Sequence, residues 1–164
     1  MTQEQQAFEP VPLDVLIIGA GLSGIGAAHA LSDKCPDKRY LILERRQAIG
    51  GTWDLFRYPG IRSDSDMYTL SYSYKPWSNR KAIADGPDIK RYIEEIAEDS
   101  GAIHNIRFQR RVVSANWSSQ RSRWEVVAKA TDASGVEHEE HYEARFLFSC
   151  SGYYSYDEGY RPDF

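Results

Sequence analysis

The sequence predicts an α/β domain on three observations taken in chain order. Asp14-Val15-Leu16-Ile17-Ile18 is a short, continuous, β-rich apolar run, as expected of a parallel strand buried on both faces. It stops at Gly19, and the Ala- and Leu-rich residues 22–32 that follow suit a helix. Tyr40-Leu41-Ile42-Leu43 is a second such run, ending on Glu44. Strand, helix and strand within about thirty residues is the size of a βαβ unit.

The other elements follow from pattern and punctuation. Residues 1–12 read as a disordered lead-in, and residues 13–164 as one domain, in keeping with about 100–200 residues per domain. Residues 46–79 are rich in Gly, Pro, Ser, Asp and aromatics without a clear period, which predicts a functional loop with short helical turns. Residues 87–98 predict a helix, with Pro87 near its first turn and Ile89, Ile93, Ile96 and Ala97 on one face. Residues 107–109, 112–117, 124–130 and 139–146 are strand-like, with hairpin connections around 118–123 and 132–137: a β-meander. Residues 145–152 read as a further buried strand that stops at Gly152.

Composition narrows the classes of partner. A net charge of −4 offers no basic stripe for nucleic acid and no polybasic anchor for lipid, so a small molecule is the expected partner. Cys35 and Cys150 stand in no metal-ligand or redox spacing; they read as reduced thiols of a cytoplasmic protein, with no metal site. The apolar stretch 15–31 is interrupted by four glycines and is short for a bilayer, so it reads as strand plus helix.

The chemistry begins at Gly19-x-Gly21-x-x-Gly24, set between strand and helix. Gly19 permits the tight turn, Gly21 lets the backbone approach a pyrophosphate, and Gly24 lets helix and strand pack closely. The diphosphate would meet free N–H groups at the positive end of the helix, where Ser23 adds a hydroxyl. The bland alternative is a Gly-rich turn without ligand. Glu44 stands where a carboxylate accepts from an adenosine ribose and repels a 2′-phosphate, which favours FAD or NAD over NADP. Arg45 and Arg46 beside it could instead accommodate that phosphate, or form surface ion pairs. A second Gly pair, in Gly50-Gly51-Thr52-Trp53, has no purpose in a plain dehydrogenase; it resembles the two-dinucleotide-binding flavoproteins and turns the expected ligand to FAD. The fold expected is therefore a Rossmann-like FAD-binding domain with a β-meander insertion.

The run Gly50-Gly51-Thr52-Trp53-Asp54-Leu55-Phe56-Arg57-Tyr58-Pro59-Gly60-Ile61-Arg62-Ser63-Asp64-Ser65-Asp66 resembles class B flavoprotein monooxygenases of the Baeyer–Villiger branch. Cys150-Ser151-Gly152-Tyr153-Tyr154-Ser155-Tyr156-Asp157-Glu158-Gly159-Tyr160 resembles the ethionamide-activating subgroup of that family. The resemblance implies FAD, NADPH and O₂, with oxygenation of a ketone, sulfide or amine by way of a C4a-peroxyflavin. It implies FAD contacts at Ser23, Glu44, Thr52, Trp53, Asp54 and Leu55, beside the glycines Gly19, Gly21, Gly24 and Gly51. Asp64 matches an acid near the flavin that positions a mobile arginine and is the candidate catalytic residue; without the resemblance it reads as a capping or turn carboxylate, like Asp66. Arg62 and Ser63 match positions bordering the nicotinamide cofactor, and Val112 matches one whose main chain meets the adenine. Relatives often carry a Tyr near the position of Leu70.

The family also needs a second Gly-rich βαβ unit for NADPH and a linker signature of Phe, Gly, His and Trp, and neither occurs in these 164 residues. The expectation is the N-terminal FAD part of a longer enzyme, incomplete at the C-terminus, with a sheet edge and an apolar face left exposed. The alternatives are a non-catalytic flavin-binding fragment, or another FAD or NAD oxidoreductase.

Overall fold

β1 (Leu13–Ile18) runs between two parallel neighbours, β2 (Tyr40–Leu43) and β6 (Glu137–Ser149), and is buried on both faces as its unbroken apolar run requires. The structure, a computed structural model, describes residues 12–132, 134–154 and 157–164. The lead-in, apart from the exposed Pro12, lies outside the described residues, as do Ser155 and Tyr156. Between β1 and β2 the chain forms α1 (Leu22–Lys34), completing the βαβ unit where the sequence placed it.

The segment 46–79 contains two single-turn helices, α2 (Thr52–Leu55) and α3 (Met67–Leu70), as expected of a loop with short helical turns. Asp66 caps α3 by accepting from the Thr69 N–H at 2.9 Å. α4 (Gly86–Asp99) follows, starts with Pro87 in its first turn, and buries Ile89, Ile93, Ile96 and Ala97. A short 3-10 turn (Ala102–Asn105) leads to β3 (Ile106–Arg107), β4 (Arg110–Ser118) and β5 (Arg123–Thr131).

The six strands form one sheet in the order β3-β2-β1-β6-β5-β4. β3, β2, β1 and the end of β6 are parallel; β4, β5 and the start of β6 form the antiparallel meander. Two details differ from the sequence reading. The stretches 139–146 and 145–152 are one strand, because no Gly, Pro, Asn or Asp interrupts residues 137–149. At Ala144 that strand faces Trp124 of β5 and Leu13 of β1 at once, so it carries the chain from the meander into the parallel sheet. The strand expected at 107–109 ends at Arg107, since Gln109 takes a left-handed conformation with φ of 58°.

Two cores flank the parallel strands. Val15, Ile17, Tyr40 and Ile42 pack with α1 and α4 through Ile25, Ala28, Ile89 and Ile93. Leu13, Leu16 and Leu43 pack with the meander through Val126, Ala128 and Ala144. Phe146 and Phe148 lie beside Val15 and Ile17 yet are 70% and 53% exposed, so an uncovered apolar strip borders the helical layer, as the sequence led us to expect. Among the described residues no helix is long and apolar enough to cross a membrane.

Candidate cofactor-binding site

The Gly-rich loop at residues 19–24 is held by backbone from both sides. The Gly19 N–H donates to Leu43 O at 2.8 Å, and the Gly50 N–H donates to Ala20 O at 3.0 Å. Gly24 must lack a side chain, because a Cβ there would lie 1.9 Å from the Gly19 carbonyl oxygen. This is the close helix–strand approach expected of the third glycine.

The two Gly motifs meet in space. A Cβ on Gly51 would lie 3.2 Å from Gly21 Cα, and one on Gly21 would lie 3.6 Å from Gly51 Cα. Gly21 is the N-cap of α1, and among the described residues no side chain caps it. The result is a side-chain-free cradle of backbone at a helix N-terminus, where unpaired N–H groups and the helix dipole favour an anion. Ser23 is exposed in the first turn of α1, beside the cradle.

Glu44 is buried directly after β2, and its carboxylate is already partly committed. Oε2 accepts from the Ala20 N–H at 2.7 Å and Oε1 accepts from the Arg46 N–H at 2.8 Å. Each oxygen keeps acceptor capacity for a sugar hydroxyl. The backbone of Glu44 donates to Arg107 O at 2.9 Å and accepts from the Arg110 N–H at 2.9 Å, which sets the start of β4, and Val112 two residues on, beside it.

Arg45 pairs with Asp157 and Arg46 with Asp54, so both arginines beside Glu44 have carboxylate partners in the fold. Asp54 is 3% exposed and also meets Lys90 Nζ at 2.8 Å and Arg57 Nη2 at 3.2 Å. Burial alone would push its carboxyl up, but Lys90, Arg46 and Arg57 together hold it below its ordinary value. Its side chain thus faces cations of the protein. Arg46 Nη1 is buried with no acceptor among the described residues.

Thr52, Trp53 and Leu55 lie on α2, with the Trp53 N–H donating to Gly50 O at 3.0 Å and the Leu55 N–H to Gly51 O at 2.9 Å. Arg62 is exposed and bridges to Asp85 through the backbone. Ser63 is buried; its hydroxyl donates to Ser65 O at 2.6 Å and accepts from the Ser65 N–H at 3.1 Å. Asp64 projects as an exposed carboxylate and lies near Tyr154, whose phenol is held above its ordinary value first by hydrogen bonding to Tyr153 and further by the charge of Asp64. Phe56 meets Tyr154 edge-on at 6.0 Å, so the runs at 50–66 and 150–160 come together. A cavity of about 660 Å³ opens beside them, lined by Trp53, Phe56, Arg57, Tyr58 and Lys90 among others.

Sequence reasoning missed a buttress behind α1. A Cβ on Gly26 would lie 2.6 Å from the Tyr72 ring, and the Tyr72 hydroxyl donates to Leu22 O. Tyr92 accepts from the Tyr72 N–H at 2.8 Å, and His29 stacks on Tyr74 at 3.6 Å. The available signal was Gly26 itself, a second glycine inside a helix that pays no part in the nucleotide pattern.

Residues 17–83 match the NAD(P)-binding Rossmann-like domain family. The chain is 53% identical over 151 residues to the FAD-containing monooxygenase EthA of Mycolicibacterium smegmatis, covering 92% of this chain and 30% of that protein. This chain resembles the class B flavoprotein monooxygenases. Two solved structures carry the flavoprotein likeness into three dimensions. An oxidised steroid monooxygenase bound to NADP superposes with a TM-score of 0.77 at 31% identity, over 94% of this chain and 28% of that one. OTEMO in complex with FAD and NADP gives the same TM-score, 0.77, at 31% identity over 94% and 28% of the two chains. The chain has the α/β Rossmann-like fold of these flavoproteins and spans about 30% of the length of the curated relatives it matches.

Proposed function

We propose that this chain is the FAD-binding portion of an NADPH- and O₂-dependent flavoprotein monooxygenase. The observation that carries the reading is the backbone contact of Gly21 with Gly51 at the uncapped N-terminus of α1. Backbone free of side chains at a helix N-terminus fits a diphosphate, and Glu44 at its side fits an adenosine ribose. Residues 13–164 form this FAD-binding domain.

Bound FAD would supply hydride acceptance from NADPH and activation of O₂. The residues of this chain bind and orient it. The N–H groups at the start of α1, with Ser23, meet the diphosphate, and Glu44 accepts from the ribose. Thr52, Trp53 and Leu55, with Asp54 through its main chain alone, line the inner part of the cofactor, and the main chain at Val112 borders the adenine. Arg62 and Ser63 border the nicotinamide cofactor. Asp64 holds a negative charge at the flavin end, where it orients a cation against the developing anion. The substrate class is a small ketone, sulfide or amine, and the location cytoplasmic, in keeping with the free thiols of Cys35 and Cys150.

These 164 residues contain one Gly triplet, which favours a second statement: by itself the chain binds flavin and does not oxidise NADPH. The test is the absorbance spectrum of the purified chain with identification of the flavin freed on denaturation. FAD is expected; colourless protein that ignores added FAD would overturn the reading.

A further inference from the structure

We propose that Asp54 is a positioning residue: through Lys90 and Arg46 it locks the turn at residues 50–55 against Gly21 and so keeps the diphosphate cradle in its binding shape. This rests on the FAD reading given above.

Both oxygens of Asp54 are spent on cations from three separate segments. Oδ2 takes Arg46, two residues beyond Glu44; Oδ1 takes Lys90 of α4 at 2.8 Å and Arg57, just past α2, at 3.2 Å. A carboxylate so buried persists only when it is paired and hydrogen-bonded, and its isolation from solvent makes these attractions strong. The turn it belongs to carries the cradle: the Asp54 N–H donates to Gly51 O at 3.2 Å. Lys90 reaches the same turn by packing, since a Cβ on Gly50 would lie 3.2 Å from both Lys90 Cγ and Asp54 Cβ. On the other side Arg46 connects Asp54 to Glu44, whose Oε1 accepts from the Arg46 N–H at 2.8 Å. Asp54 thereby couples the diphosphate half of the site to the ribose half. It also fixes the guanidinium of Arg46, whose Nη1 is buried with no acceptor among the described residues.

The experiment compares the chain with Asp54→Asn, Lys90→Met and the double variant. Two readouts are taken: hydrogen exchange of amides 50–56 without cofactor, and the FAD dissociation constant from flavin fluorescence. Each single variant is expected to speed exchange in that segment at least tenfold, with protection of β1 unchanged, and to raise the FAD dissociation constant at least fivefold. The double variant is expected to be no worse than Asp54→Asn, because the Lys90 pair that Lys90→Met removes is one of the three that Asp54→Asn already weakens. Exchange and affinity within twofold of the parent, or losses that multiply in the double variant, would overturn the proposal. Should Asp54→Asn fail to fold, Lys90→Met alone decides by the same thresholds. If the parent binds no FAD, the Proposed function fails, and the exchange arm still decides whether Asp54 positions the turn.

Discussion

Gly21 and Gly51 touch backbone to backbone, with only 3.2 Å between Gly21 Cα and the place a Gly51 Cβ would occupy. Gly51 also holds φ at +53° and ψ at −120°, a region that residues with a Cβ avoid. Gly51→Ala is therefore expected to cost about 1–3 kcal/mol of stability from strain alone. It should weaken FAD binding more than tenfold by filling the cradle. Thermal melting and FAD titration check both halves; unchanged affinity would place the diphosphate elsewhere.

Glu44 serves the loop before it serves any ligand. Glu44→Gln replaces one acceptor oxygen by an NH₂ donor, so either the Ala20 or the Arg46 N–H faces a donor in a buried site. A loss of about 1–3 kcal/mol is expected from the unsatisfied group. FAD affinity should fall as well, through the ribose. Urea unfolding of the cofactor-free chain separates the first effect from the second, and an unchanged midpoint would contradict it.

Asp54 gives a pH signature. Its folded carboxyl is held below the ordinary 3.8, so its contribution to stability is present above that value and is lost as pH falls through the lower folded value. The stability difference between the parent and Asp54→Asn should be constant near neutrality and shrink below about pH 4. Urea midpoints from pH 7 to pH 3 test this; parallel curves throughout would contradict the pairing.

Gly26 inverts a usual rule. In a helix interior Gly→Ala normally gains about 0.5–1 kcal/mol, but here the new methyl meets the Tyr72 ring at 2.6 Å. Gly26→Ala is expected to destabilise, and to become neutral or favourable in the background of Tyr72→Leu. A double-mutant cycle on melting temperature measures the coupling, and additive effects would show that the ring moves aside freely.

Phe146 and Phe148 form the exposed strip beside β1. Replacing both by Thr keeps strand propensity and removes apolar surface. Stability should change by no more than about 0.5 kcal/mol per site, while aggregation at high concentration should fall. Light scattering with concentration decides it.

What the sequence revealed were features written locally. The strand, Gly triplet, helix and strand from Asp14 to Glu44 announce themselves through period and punctuation within about thirty residues, and the apolar face of α4 through its 3.6-residue repeat. What stayed hidden are long-range pairs. Asp54 meets Lys90 thirty-six positions on, Gly26 meets Tyr72 forty-six positions on, and nothing in the intervening residues encodes either meeting. The division of β6 into two strands failed for a related reason. One continuous run serves two sheets, and its alternation gives no sign of where the partner changes.

The most direct measurement is the relative affinity of the purified chain for FAD and FMN by isothermal titration. FMN lacks the adenosine and the second phosphate, which are the parts that the cradle at Gly21 and Gly51 and the carboxylate of Glu44 would hold. FAD is expected to bind at least a hundredfold more tightly, an advantage of about 2.8 kcal/mol at tenfold per 1.4 kcal/mol. Equal affinities for the two flavins, or no binding of FAD, would contradict the assignment of this site.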